Sequence, residues 1–370
     1  MYVWKKFVVM ALIAAMGVLC RPAPGSAAEG RNLKIGILTT SGVDDGSFGE
    51  DCYNGILEFI KANPGSTVNT VKEPDFDKVL QAAHDIIADY DVLVLPGFEF
   101  APIGVIAPDN PKTAVLLVDS APSDEEGNPV ELDNIYSMTF HEEESGFFAG
   151  VAAALQTKTG KVAVVGGMAY PPNVNYHFGF VSGVNYANKH LGAKAACVEL
   201  PSYAGTDVTG AQIGGNYVGS FADEATGKVI GAALIGQGVD VIFVEAGASG
   251  NGTFTAAKEA DGVWLIGCDV DQYDDGAKGG SNIMLTSGLK IMGKNITKQL
   301  QALKDGTFKG KNEVLGADTD STGYVSAPGR HSLSGSTLEA LKKVYGLVKN
   351  GEIVPASNFN GHKPDNFPGL

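Results

Sequence analysis

Several short runs of the chain are almost wholly apolar. LKIGILT begins at Leu33, DVLVLPG at Asp91, TAVLLVDS at Thr113, KVAVVGG at Lys161, VDVIFVEAG at Val239 and VWLIGCD at Val263. Such runs, rich in β-branched residues, predict strands buried on both faces. Between them the apolar positions recur at helical spacing: FDKVLQAAHDIIADY, ESGFFAGVAAALQTK, EATGKVIGAALIGQG and GLKIMGKNITKQLQALKDG. Strands alternating with helices predict an α/β fold with parallel sheets. The units are too many for one comfortable sheet, so two sheets are expected. The last stretch, NFNGHKPDNFPGL, reads as an irregular wrap.

In open α/β sheets ligands bind beyond the carboxyl ends of the strands. Polar residues gather at those ends here: Thr39 to Ser47, Asp119, Gly166 to Met168, Glu245 to Asn251 and Asp269 to Asp271. Two lobes facing each other across such a rim make a cleft. The chain's 370 residues, 44% of them hydrophobic, suffice for two cores, and its 49 glycines suit many strand-to-helix turns. A net charge of −15 disfavours nucleic acid as a partner.

The N-terminus has the three parts of an export signal. MYVWKK is basic, FVVMALIAAMGVL apolar, and GSAAEG offers small residues for cleavage after Ala28. The apolar run is short for a membrane span. Residues 1–28 are therefore expected to be a signal peptide, and the mature chain to be periplasmic or otherwise extracytoplasmic. Cys20 is an alternative lipidation site, although Leu19 is larger than a lipobox prefers. Cys52, Cys197 and Cys268 are left, an odd number that defines no disulfide framework.

The motifs of common enzymes are missing. No P-loop, dinucleotide fingerprint or nucleophile elbow is present. HEEES at His141 is not a zinc-protease motif. DVDQYD and DTDSTG start like calcium loops but place Gly280 and Gly329 where the glutamate belongs. No catalytic activity, metal or cofactor is expected. The stretch VDDGSFGEDCYNGI, from Val43, puts adjacent acids and Phe48 at a helix start. Asp44 and Asp45 read either as helix N-terminal charges or as members of a binding loop.

Seven stretches together resemble one family: VDDGSFGEDCYNGI, GFFAGVAAALQTKTGKVAVVGGM, FGFVSGVNYAN, YVGSFADEATGK, VDVIFVEAGASGNGTFTAAKE, WLIGCDVDQ and LTSGLK. They run in order from about Lys34 to Lys290. The family is the basic membrane protein family of ABC-transporter substrate-binding proteins, whose best-known branch is the purine nucleoside receptors. The resemblance implies a type I periplasmic-binding fold: two doubly wound lobes joined by a three-strand hinge. Lobe one would be 31–138 plus 287–322, and lobe two 139–286 plus 323–370. It further implies a nucleoside-like ligand in the cleft and an ABC permease as partner. A secreted sensor of the same fold is the competing reading, and a nucleoside hydrolase has only acids at strand ends in its favour.

Family roles fall on matching positions. Phe48 and Phe221 would sandwich a base, and Asp119 would meet its edge. Asp269 and Lys290 would hold ribose hydroxyls, with backbone at Gly247 close to the sugar. Asp45 belongs to the binding loop that presents Phe48. The residues alone also allow Phe221 in a helix core, Asp119 and Asp269 in turns, and Lys290 at a solvated helix start. The chain departs from the family at Thr39, where nucleoside receptors usually carry an acid, and at Gly49, where they carry Asn. The segment GTDVTGAQIGGNY also looks longer than usual. A flavin-like heterocycle such as riboflavin is therefore an alternative ligand.

Overall fold

The apolar runs become strands because alternate side chains reach opposite faces, and helices cover both. In a computed structural model, residues 31–358 and 360–370 are described; the expected signal segment 1–28 and Cys20 lie outside them. The first half carries β1 (Lys34–Thr39), α1 (Phe48–Ala62), β2 (Thr67–Lys72), α2 (Val79–Ile86), β3 (Val92–Pro96), α3 (Ile103–Ile106), β4 (Ala114–Val118) and β5 (Ile135–Phe140). Next come α4 (Glu142–Gln156), β6 (Lys161–Gly166), α5 (Pro171–His190), β7 (Ala196–Cys197), the small hairpin β8 (Gly205–Thr206) and β9 (Gln212–Gly214), and α6 (Glu224–Gly236). Then follow β10 (Val241–Glu245), α7 (Gly250–Glu259), β11 (Trp264–Gly267), a second hairpin β12 (Ala277–Lys278) and β13 (Ser281–Asn282), and β14 (Met284–Lys290). The chain closes with α8 (Met292–Lys304), β15 (Lys311–Leu315), β16 (Thr322–Tyr324) and α9 (Gly335–Lys349).

Two six-stranded sheets result, ordered β15-β5-β4-β3-β1-β2 and β16-β14-β11-β10-β6-β7. The first is parallel throughout. The second is parallel except for the β14–β16 pair. Period-2 burial is explicit in β3. Val92 and Val94 pack with Ile56, Phe59 and Ile296 on one face, and Leu93 and Leu95 with Val79, Ala83 and Ile103 on the other.

The chain crosses between the sheets three times: after Phe140, after Lys290, and between Leu315 and Thr322. This differs from the expected boundaries at one place that matters. Ser287–Lys290 pair within the second sheet, not with lobe one, and the helix expected from Gly288 starts only at Met292. Pairing of Ser287 with Gly267 on one side and of Gly288–Lys290 with Thr322–Tyr324 on the other overrides the helical spacing.

Glycines set the closest helix contact. Gly146 and Gly150 of α4 lie against Gly179 and Gly183 of α5, four residues apart in each helix. A Cβ on any of the four would come 2.0–2.3 Å from a backbone oxygen of the other helix, so only Gly permits this approach. The described tail after α9 has no helix or strand, as expected. It is anchored by Asn185 and Lys189, whose side chains donate to the carbonyls of Pro364 and Leu370, and by buried Phe367.

Candidate functional site

The carboxyl ends of the two sheets meet at a cleft with an empty volume of about 890 Å³, partly open to solvent. Its wall includes Asp45, Phe48, Asp119, Phe221, Gly247, Asp269 and Lys290. The eighth expected residue, Thr39, is not in the wall. Its side chain is buried and accepts a hydrogen bond from the Gly42 amide at 3.1 Å, closing the turn after β1, and Thr40 reaches the cleft instead.

The loop from Thr40 to Ser47 turns through Gly42 and Gly46, both at positive φ. Asp45 organises it. Its carboxylate accepts from Ser41 Oγ at 2.7 Å and from the amides of Ser47, Gly49 and Glu50 at 2.9–3.1 Å. These are the orphan donors of a helix start, so Asp45 caps α1 and fixes the direction in which Phe48 leaves it. Its oxygens are thereby occupied, although the residue lines the cleft.

Lys290 is the centre of the site. It is the last residue of β14 and only 2% exposed. Its Nζ lies 2.7 Å from Asp119, 3.7 Å from Glu142 and 3.8 Å from Asp269. It also sits over the rings of Phe48, Tyr176 and Phe140 at 4.9, 5.6 and 5.8 Å. Lys290 is therefore no solvated helix start. Burial works against its charge, but the carboxylates of Asp119, Asp269 and Glu142 outweigh that and hold the ammonium firmly protonated. One ammonium cannot balance three carboxylates. Burial pushes Glu142 up to about 8 even beside Lys290, and pushes Asp119 up as well.

Asp119 and Asp269 both adopt positive φ, 68° and 67°, at the ends of β4 and β11. Strained non-glycine backbone of this kind clusters at functional sites. Asp269 accepts from Tyr176 at 2.7 Å and from Ser47 at 3.2 Å, the second bond joining the two sides of the cleft. Asp119 gives one oxygen to Lys290, and its buried Oδ1 has no partner.

Phe221 rests on bare backbone. A Cβ on Gly167 would lie 2.2 Å from its ring, and one on Gly247 3.6 Å away. Tyr170 packs against Phe221 with ring centroids 6.1 Å apart, and reaches across to Phe98 at 5.7 Å and Phe76 at 6.1 Å. Sequence reading passed over Tyr170, Tyr176 and Glu99. The first two lie in and before a helix whose spacing reads as ordinary core. Glu99 stands three residues beyond strand β3, and that position near a strand end was the one available signal. Burial pushes its carboxyl up to about 7. Glu245, named only as part of a polar strand end, is 3% exposed with an unpartnered Oε1, and burial raises it well above the carboxylate range. Cys52, Cys197 and Cys268 are all free thiols. Among the described residues no helix is long and apolar enough to cross a membrane.

Two doubly wound lobes, three crossings and a cleft at the strand ends define the two-lobed type I periplasmic-binding fold. The family model described as ABC transporter substrate-binding protein PnrA-like (Bmp) matches residues 32–198 and 209–343, and the chain belongs to that family. The family consists of substrate-binding proteins, not enzymes. The break at 199–208 overlaps the segment expected to be longer than usual. The ABC transporter nucleoside-binding protein BmpA of Lactococcus lactis is 31% identical, with 80% of this chain and 84% of that protein aligned. Basic membrane protein A of Borreliella burgdorferi is 26% identical over 95% of this chain and 96% of its own length. A solved ABC transporter solute-binding protein from Aeropyrum pernix K1 matches with a TM-score of 0.72 at 23% identity, covering 89% of this chain and 94% of its own.

Proposed function

We propose that this chain is the extracytoplasmic binding component of an ABC importer and carries a nucleoside-like ligand in its cleft. The observation that supports this best is the convergence of Phe48, Phe221, Asp269 and Lys290, far apart in sequence, on one cavity. A flat heterocycle would lie between Phe48 and Phe221, with Gly247 backbone close to the sugar. Asp269 and Lys290 would bind vicinal hydroxyls, the carboxylate accepting and the ammonium donating. The free Oδ1 of Asp119 would take a further donor on the ligand. The name of the Lactococcus relative agrees with this ligand class.

Phe48 and Phe221 belong to different lobes, so the stack completes only when the lobes close. A permease partner would read the closed form. In this reading residues 1–28 export the chain and are removed, and a diacylglycerol on Cys20 would mark the lipid-anchored alternative.

The test is calorimetry with guanosine, inosine, adenosine and riboflavin. Phe221→Ala should weaken binding by about 1–3 kcal/mol, the scale of one lost base stack. Asp269→Ala should cost more, because it removes charge-assisted bonds, and should blunt ribose over deoxyribose preference. Wild-type protein that binds none of these ligands would refute the ligand class. Unchanged affinity in Asp269→Ala would refute the sugar site alone.

A further inference from the structure

The acid that nucleoside receptors usually carry is Thr39 here, and Thr39 faces away from the cleft. The structure assigns its task to a residue in the turn after another strand: we infer that Glu99 reads the edge of the ligand's ring, selecting a heterocycle with two adjacent N–H donors, of the guanine type. This inference rests on the nucleoside-like ligand proposed above.

Glu99 stands three residues beyond β3, in the cleft wall beside Thr40, Gly97, Phe98 and Tyr170. Its carboxylate folds back over Gly97, whose φ of +141° and missing side chain make the room; a Cβ there would come 2.4 Å from Oε2. Thr40 Oγ1 donates to Oε1 at 2.9 Å and fixes the group's orientation. No basic side chain pairs with Glu99 among the described residues, whereas Lys290 is engaged with Asp119, Glu142 and Asp269. Glu99 is thus an oriented acceptor in the wall of the cavity, without a cation.

Its neighbours place it at the ring rather than at the sugar. Phe98, the preceding residue, meets Tyr170, and Tyr170 meets Phe221, the residue that would stack the base. Asp269 and Lys290, the hydroxyl binders, are held by Tyr176, Ser47 and Asp119. Burial pushes Glu99 up to about 7, so above that pH its carboxylate is ionised and only accepts hydrogen bonds. The N1–H and amino N–H of guanine point the same way and can engage it in bidentate fashion. Hypoxanthine offers N1–H alone. Adenine turns an N1 lone pair toward the carboxylate, a repulsive match of the kind that dominates discrimination in closed sites.

The test is calorimetry at pH 8, above the value to which burial pushes Glu99, with guanosine, inosine and adenosine on wild type, Glu99→Gln and Thr40→Val. Wild type should bind guanosine more tightly than inosine, and inosine more tightly than adenosine. Glu99→Gln keeps the size but replaces one acceptor with a donor. It should weaken guanosine about 10- to 100-fold, the range of a charged hydrogen bond, and adenosine far less. Retained adenosine binding shows that the variant is folded. Thr40→Val leaves the carboxylate but frees it to turn, and should weaken guanosine about 2- to 10-fold. A wild type that prefers adenosine would overturn the assignment. So would a guanosine-to-adenosine ratio that Glu99→Gln leaves unchanged, in which case the nucleoside reading would still stand. Failure of all three nucleosides to bind wild type would end both.

Discussion

Replacing Lys290 with Met removes the one cation lining the cleft among the described residues and keeps its aliphatic volume. The ammonium is 2% exposed and lies 2.7 Å from Asp119, 3.7 Å from Glu142 and 3.8 Å from Asp269. At an effective dielectric of about 20 the Asp119 contact alone contributes about 6 kcal/mol, before the desolvation of both ions offsets most of it. The cost of deletion is set by what stays behind: buried carboxylates with no counter-ion. Losing one partner of such a pair costs about 3–5 kcal/mol. The loss also depends on pH in a definite direction. Burial already raises Asp119 and Glu142, and losing Lys290 raises them further, so the folded state holds extra protons. Such a state loses stability as pH rises. Urea unfolding of wild type and Lys290→Met at pH 5.5 and pH 8 measures this. The variant should be less stable at both, and the deficit should be larger at pH 8. The double variant Lys290→Met/Asp119→Asn should recover part of it. A single variant as stable as wild type at pH 8, or a deficit larger at pH 5.5, would refute the account of Lys290 as the charge that makes the acid cluster tolerable.

Gly150→Ala should destabilise by about 1–3 kcal/mol or more, since its Cβ would meet the Phe180 carbonyl at 2.0 Å; Gly346→Ala in α9, where a Cβ meets nothing within 4 Å, should instead stabilise by about 0.4–1 kcal/mol in the same denaturation assay. His141 is held up to about 9 by its hydrogen bond to Glu143. Its folded value exceeds the unfolded one, so the stability it contributes is complete below about pH 6.5 and is lost as pH rises through about 9. Melting temperatures at pH 6 and pH 9.5 should differ less for His141→Gln than for wild type, and an identical difference would remove His141 from the pH response.

The inner strands β1, β3, β4, β6, β10 and β11, the division into two sheets and the rim of polar residues at the strand ends were legible in the chain itself. Each depends on local physics: apolar runs without polar breaks, glycine at turns, acids beyond the last buried residue. So were Phe48, Asp119, Phe221, Asp269 and Lys290 as members of one cleft, because their motifs recur in a family of like fold. Spacing could not show that Ser287–Lys290 form a strand, since the partners that hold them extended are the distant Gly267 and Thr322–Tyr324. Nor could it choose between the two readings of Asp45. Its neighbours in sequence supply the amides that occupy it, but only the turn of the loop aims them at its carboxylate. Side-chain direction decides the rest. Thr39 and Thr40 are adjacent and of the same type, yet the first closes a turn inside the lobe while the second faces the cleft and holds Glu99. The crowd of acids around Lys290 comes from three separate strand or helix ends, brought within 4 Å only when both sheets and the crossings between them are in place. Local sequence determines which segments become strands and helices; the charge balance and the donors and acceptors offered to a ligand depend on side chains that meet only through long-range contacts.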